Sequence, residues 1–207
     1  MGVGPESSRG LERVAMWAAF RVTLWVLLVA VLLGIVGWQV RELLRANAPL
    51  PVLDSLGDEF ALASTNGGVT RLSDFRGKLV LLGFGYTSCP DVCPTMLARM
   101  RDVRRGLGGD GETVQSLFVT LDPERDTVDR LASYLVYFDE SLLGLTGGPD
   151  EIAAVAASFK VHWDTGPSAV ITHGSHLYLL DRQGRVRTTF GPSVTVSQMI
   201  GTVQRLL

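Results

Sequence analysis

The chain has 207 residues, with 19 lysines and arginines against 21 acids, and 46% of it is hydrophobic. That balance is too apolar for a disordered chain and not basic enough for a nucleic-acid binder, so no nucleic-acid partner is expected. Residues 1–53 hold five arginines and three glutamates; the mildly acidic remainder, 54–207, is long enough to bury about two thirds of its unfolded surface in one core.

Residues 1–21 read as a short cytoplasmic N-terminus. Residues 22–40, VTLWVLLVAVLLGIVGWQV, carry no charge and lie between Arg21 and Arg41. As a helix rising about 1.5 Å per residue, this run roughly spans a bilayer's hydrocarbon core, with Trp25 and Trp38 suited to its interfaces. Ala46-Asn47-Ala48 resembles a signal-cleavage site, but Pro49 follows it, and the run exceeds the apolar region of about 7–15 residues in a signal peptide. An uncleaved transmembrane anchor is the expectation. Arg9, Arg13 and Arg21 before the span favour an inside N-terminus, so the domain faces outward. Residues 41–53 read as a linker stiffened by Pro49 and Pro51.

Phe60–Leu62 and Val69–Leu72, around Asn66-Gly67-Gly68, predict a hairpin. Residues 78–84 and 114–121 are continuous apolar runs, the pattern of strands covered on both faces. Between them, Met96, Met100, Val103 and Leu107 give residues 94–107 helical spacing. Asp126 or Thr127 can cap a helix reaching Phe138, and Pro149 can open another that buries Ile152, Val155 and Phe159. Residues 177–180 and 186–190 predict a second hairpin, and 196–207 a terminal amphipathic helix. Strands alternating with helices, then a hairpin and a helix, predict an α/β fold with a mixed sheet flanked by helices, an order that suits a thioredoxin-like architecture.

The chemistry centres on Cys89 and Cys93, the only cysteines, in Gly85-Tyr-Thr-Ser-Cys-Pro-Asp-Val-Cys-Pro-Thr95. They lie between an apolar strand and a helix start, where the helix dipole favours thiolate. Their spacing serves either one metal ion or a redox-active disulfide; as a structural staple, so small a loop gains little chain entropy. The histidines are His162, His173 and His176, each by itself an ordinary surface or core residue. His173 or His176, in the loop before the strand at 177, could complete a Cys2His set, and thiolates with one imidazole suit copper as Cu(I) or Cu(II).

The run Phe84–Thr95, then Thr120-Leu-Asp-Pro-Glu-Arg-Asp-Thr127, then Leu143–Gly147, then Leu177–Gly184, resembles the Sco/SenC family in order and spacing. That resemblance implies a thioredoxin-like fold and copper binding by two cysteines and a distal histidine. It also implies assembly of the binuclear copper centre of cytochrome c oxidase. The family's histidine lies five positions before the aromatic of its next strand, here Tyr178, and so maps onto His173. The implied ligands are Cys89, Cys93 and His173. The family usually has Asp before that histidine; this chain has Thr172, which bears on affinity and redox tuning. His176 is extra to the pattern, and His162 stands where the family tends to have an aromatic. Asp91, Asp122, Asp126 and His176 are possible metal-supporting or docking residues, although turn and cap chemistry accounts for the acids equally well.

A metallochaperone needs no catalytic residue. The rival expectation is a membrane-tethered thiol-disulfide reductase or peroxiredoxin-like redox protein, against which stand the three-residue spacing between the cysteines and the lack of a proline just before Leu177. The partners implied are the copper-centre subunit of the oxidase and a thiol reductase that keeps the cysteines reduced. Glu6 and Glu12 are unlike a transit peptide, and the expected location is a bacterial cytoplasmic membrane, crossed once, with the domain on the periplasmic or extracytoplasmic side.

Overall fold

The computed structural model describes residues 6–46, 49–165, 171–173 and 176–207, in two compact units, Met1–Pro49 and Leu50–Leu207. The first is one helix, α1 (Glu6–Ala46). Its stretch Phe20–Glu42, of mean hydropathy 2.3, is the one helix among the described residues long and apolar enough to cross a membrane. Residues 41–46, read from sequence as linker, continue the helix. Arg41-Glu-Leu-Leu-Arg-Ala46 is made of strong helix formers, and the first helix-opposing proline is Pro49.

The second unit is built on a seven-stranded sheet. In chain order the elements are β1 (Ala61–Ser64), β2 (Val69–Arg71), β3 (Leu79–Gly85), α2 (Val92–Gly106), β4 (Val114–Thr120), α3 (Val128–Leu135) and β5 (Leu143–Thr146). They continue with α4 (Pro149–Ser158), β6 (Trp163–Thr165), β7 (Ile171–His173), β8 (Leu177–Leu180), β9 (Val186–Phe190) and α5 (Val196–Gln204). The sheet order is β2-β1-β5-β4-β3-β8-β9, while β6 and β7 pair in a sheet of their own. β3, β4 and β5 run parallel; β8 and β9 are antiparallel to their neighbours. The β4-β3-β8-β9 order, with helices after β3, β4 and β9, is the thioredoxin-like arrangement.

Every residue of β3 is buried, as its unbroken apolar run demands of a strand covered on both faces. Val80, Leu82 and Phe84 pack with Phe60, Leu62, Phe159 and Tyr178 on one face. Leu79 and Leu81 pack with Met96 and Met100 of α2, Leu131 of α3 and Met199 of α5 on the other. Thr127 caps α3, accepting from the Arg130 amide at 3.3 Å. Pro149 opens α4, where Glu151 accepts from the Gly148 amide at 2.7 Å.

Residues 50–53, the end of the expected linker, belong to the folded unit. The Leu53 amide donates to Val186 O at 2.8 Å, and Arg187 donates to the carbonyls of Leu50 and Pro51. Arg187 is itself held by Asp181 at 3.1 Å. β5 had no separate strand expectation: it is four residues long and contains Gly144, where a Cβ would meet Leu135 and Thr65 at 2.8 and 2.9 Å. Packing, not local propensity, makes it a strand.

Candidate metal centre

β3 delivers the chain to the cysteines at the edge of the core. After Gly85 the backbone turns, with the Cys89 amide donating to Tyr86 O at 3.2 Å, and α2 begins at Val92. This start, two residues earlier than the helical spacing indicates, puts Cys93 in the first turn and leaves Cys89 in the preceding loop. Both cysteines are buried and unbridged. A Cβ on Gly85 would lie 2.6 Å from Cys93 Sγ and 2.9 Å from the Phe118 ring. Only a residue without a side chain at the strand end lets this thiol lie against the sheet.

The two thiols differ in acidity. Burial works to raise Cys89, but hydrogen bonds from the backbone of Asp91, Cys93 and Val92 and from the Cys93 side chain outweigh it, holding Cys89 below the ordinary thiol value. Burial pushes Cys93 far above that value, with the neighbouring charges of Cys89 and Asp126 adding. Position at a helix start predicts thiolate for both; at Cys93 desolvation prevails.

Asp126 is the polar centre beneath this loop. Its side chain is fully buried and accepts from the Thr87 amide at 2.9 Å, from Thr87 Oγ1, and from Thr120 Oγ1 at 2.7 Å. Arg130 reaches back to Asp126 at 3.5 Å and donates to Thr87 Oγ1 at 2.7 Å and Ser88 Oγ at 3.0 Å. The end of β4, the start of α3 and the cysteine loop are thereby tied to one carboxylate.

The other acids are placed differently. Asp91 is the N-cap residue of α2 but makes no side-chain cap bond; it lies on a cavity of about 140 Å3 with Thr95, Met96, Arg99 and Pro192. Asp122 pairs with Arg125, and its amide donates to Thr120 Oγ1 at 3.0 Å, which is turn chemistry. It also lines a cleft of about 250 Å3 with Glu124, Ile152 and Trp163.

Sequence reasoning passed over Tyr134 as a core residue of α3. Its hydroxyl is buried with no hydrogen-bond partner among the described residues. Burial, with the nearby thiol and Asp126 charges, pushes its pKa up to about 12. Leu131, Tyr134, Leu135 and Phe138 recur at helical spacing, a pattern that accounts for burial of the ring but does not disclose its neighbours.

His173 lies on β7 rather than in a loop, opposite Trp163 of β6; its side chain is outside the described residues. Thr172 stands opposite Asp164. His162 and His176 line one cavity together. Among the described residues no three of Cys, His, Asp and Glu gather into a metal-binding group. What the structure does bring together is the cysteine pair, a donor set that suits a soft ion.

The sequence model of the SCO1/SenC family matches residues 51–207. The mitochondrial SCO2 homolog of Bos taurus is 38% identical over 154 residues, which are 71% of this chain and 58% of that protein. Among solved structures, Bradyrhizobium japonicum ScoI with copper bound is 38% identical with a TM-score of 0.68, over 73% of this chain and 99% of that one. Arabidopsis thaliana ScoI with copper bound is 31% identical with a TM-score of 0.69, over 72% and 97%. With the family pattern matched from the first residues of the folded unit to its end, the chain belongs to the SCO1/SenC family.

Proposed function

We propose that this chain is a membrane-anchored copper chaperone. It binds copper as cargo through Cys89, Cys93 and His173 and delivers it to the copper-centre subunit of cytochrome c oxidase during assembly. The observation that carries this reading is the pair of buried, unbridged thiols, one held below and one above the ordinary thiol value, in a chain similar to two proteins whose structures hold copper.

Metal binding must remove a proton from each thiol. Cys89 ionises readily and supplies the first thiolate. Cys93 is stabilised as a thiolate once a cation lies beside it, because the ion offsets the desolvation that keeps it protonated. A neutral His173 imidazole supplies the third donor. A three-ligand site leaves Cu(I) open to an acceptor's thiolate, so incomplete closure serves transfer. The apolar stretch of α1 is the anchor, in the cytoplasmic membrane of a bacterium, with the folded unit on the outer side. A thiol reductase partner keeps the cysteines in the state that binds.

The test is anaerobic titration of the full chain in detergent with Cu(I) and Cu(II), with thiol counting, on wild type, Cys89→Ser, Cys93→Ser and His173→Ala. The expected outcome is one tightly held Cu(I) per chain, lost in either serine variant and on oxidation of the thiols. His173→Ala should weaken Cu(II) more than Cu(I), since two thiolates still hold Cu(I). Serine variants that bind like wild type refute the ligand assignment. Absence of stoichiometric copper together with rapid reduction of disulfide or peroxide substrates moves the chain to the redox enzymes.

A further inference from the structure

His162 and His176 are fourteen positions apart in sequence, yet they line a single cavity of about 210 Å3, completed by Lys160, Val161 and Tyr178. A local fold brings them there. Lys160, at the end of α4, takes a left-handed backbone conformation with φ 55°, and its carbonyl lies 3.1 Å from His162 Nδ1. A carbonyl only accepts, so Nδ1 carries the proton, and the lone pair of the neutral ring is at Nε2. Fixing one ring nitrogen on a backbone carbonyl is how a protein presents the other to a metal.

The opposite wall is set by β8. The Tyr178 hydroxyl donates to Phe159 O at 3.0 Å, which fixes the strand two residues beyond His176. The Lys160 ammonium beside the cavity is drawn aside, since Lys160 Nζ donates to Ser55 Oγ at 3.2 Å. Among the described residues the lining contains no carboxylate and no thiol. Its donors are two imidazoles with room for water, a set that among divalent first-row ions favours Cu(II).

We propose that His162 and His176 bind one Cu(II) ion across this cavity, as a second site separate from Cys89 and Cys93. The inference rests on the chaperone reading only for the choice of ion. An imidazole site holds the oxidised ion, whereas a thiolate pair prefers the reduced one. His162 adjoins Trp163, and Trp163 pairs with His173. The second site therefore borders the strand pair that carries the third ligand of the first.

The experiment uses the full chain in detergent, free of any histidine tag, with Cys89→Ser and Cys93→Ser combined so that only nitrogen and oxygen donors remain. Copper(II) chloride is titrated in, and electron paramagnetic resonance reads the coordination. One equivalent of Cu(II) with superhyperfine coupling from two nitrogens is expected. His162→Gln and His176→Gln each weaken binding by about tenfold or more, and the pair abolishes it. His173→Ala in this background leaves it within about twofold.

Both histidines are exposed, so the glutamine variants keep the fold, which circular dichroism checks. In the cysteine-intact chain, the His162→Gln/His176→Gln variant still binds Cu(I) stoichiometrically; this separates failure here from failure of the thiol site. The proposal is overturned if the serine variant binds no Cu(II), if binding survives the double glutamine change, or if His173→Ala alone removes it.

Discussion

The sulfur and nitrogen donors of this chain are held by very different amounts of structure. The cysteine loop hangs from β3, whose residues are all buried in the middle of a seven-stranded sheet, and is fastened to a buried carboxylate by two hydrogen bonds from Thr87, while Thr120 of β4 supplies a third to the same carboxylate. The histidines sit around β6 and β7, which share three register pairs and lie outside the main sheet; His162 and His176 are exposed. The soft donors are thus preorganised by the same contacts that stabilise the fold, while the nitrogen donors belong to an element that is cheap to alter. At the cysteine end, substitutions should lower stability and copper binding together. At the histidine end they should change binding and leave stability nearly untouched.

The most severe break is Asp126→Ala. It removes the acceptor of three hydrogen bonds inside the core and leaves Thr87 and Thr120 without their partner. A loss of about 3 kcal/mol is expected in denaturant unfolding, with weakened Cu(I) binding in the variant that still folds. Asp126→Asn, which keeps some of the bonds, should fall between. Equal copper affinity in Asp126→Ala and wild type would show that the loop does not need its carboxylate.

Gly85→Ala tests the same region by volume instead of charge. The added methyl would stand 2.6 Å from Cys93 Sγ and 2.9 Å from Phe118, so the thiol or the ring must move. About 1–3 kcal/mol is expected from overpacking, together with slower or weaker Cu(I) uptake. An affinity unchanged at lowered stability would mean that the Cys93 position is not fixed by the sheet.

The acidity difference makes a third, pH-dependent prediction. Cys93 has its folded value raised, so the stability its buried thiol contributes is complete below the ordinary thiol value, about 8.5, and is lost as pH rises above it, because the unfolded chain gives up a proton that the native one keeps. Cys89, lowered, acts in the opposite sense, its contribution being present above the ordinary value and lost as pH falls through the lowered one. With the Cys93 shift the larger, the reduced, metal-free chain should lose about 1 kcal/mol between pH 8 and 9.5, and Cys93→Ser should flatten that decline. Alkylation at neutral pH should mark Cys89 and spare Cys93, as peptide mass spectrometry would show.

Tyr134→Phe has a smaller expected effect, of opposite sign. With no hydrogen-bond partner among the described residues, the Tyr134 hydroxyl gains nothing from burial, so its removal should leave stability unchanged or raise it by up to about 1 kcal/mol. A clear loss in thermal unfolding would reveal a partner for that hydroxyl.

What could be read from the sequence followed from local rules. The continuous apolar runs named β3 and β4, the Pro149 start named α4, and the cysteine motif named the loop. The roles that depend on distant partners could not be read in this way. Asp126 and Thr127 are equally good caps in sequence; Asp126 becomes the core acceptor because Thr87 and Thr120 converge on it. A helix start argues for an acidic Cys93, and only the packed sheet shows that burial prevails. His162 and His176 line one cavity beside Lys160, whose left-handed backbone is a conformation a lysine seldom takes and no pattern announces. β6 and β7, three residues each, are too short for periodicity to register.

The smallest effect belongs to the histidine end and decides whether the two regions are as separate as their topology implies. Thr172→Asp places an acid just before His173, and the register sets position 172 opposite Asp164. Like charges directly opposed across a strand pair cost roughly 0.2–1 kcal/mol. If β6 and β7 open independently of the main sheet, that cost appears as faster amide exchange at residues 163–165 with an unchanged global unfolding midpoint. Adding Asp164→Asn should return the exchange to the wild-type rate. A fall in the global midpoint as large as that of Gly85→Ala would instead mean that the strand pair unfolds with the core. The proposed third ligand, His173, would then be held as firmly as the thiols, and release in the proposed copper transfer would have to begin at the sulfur end.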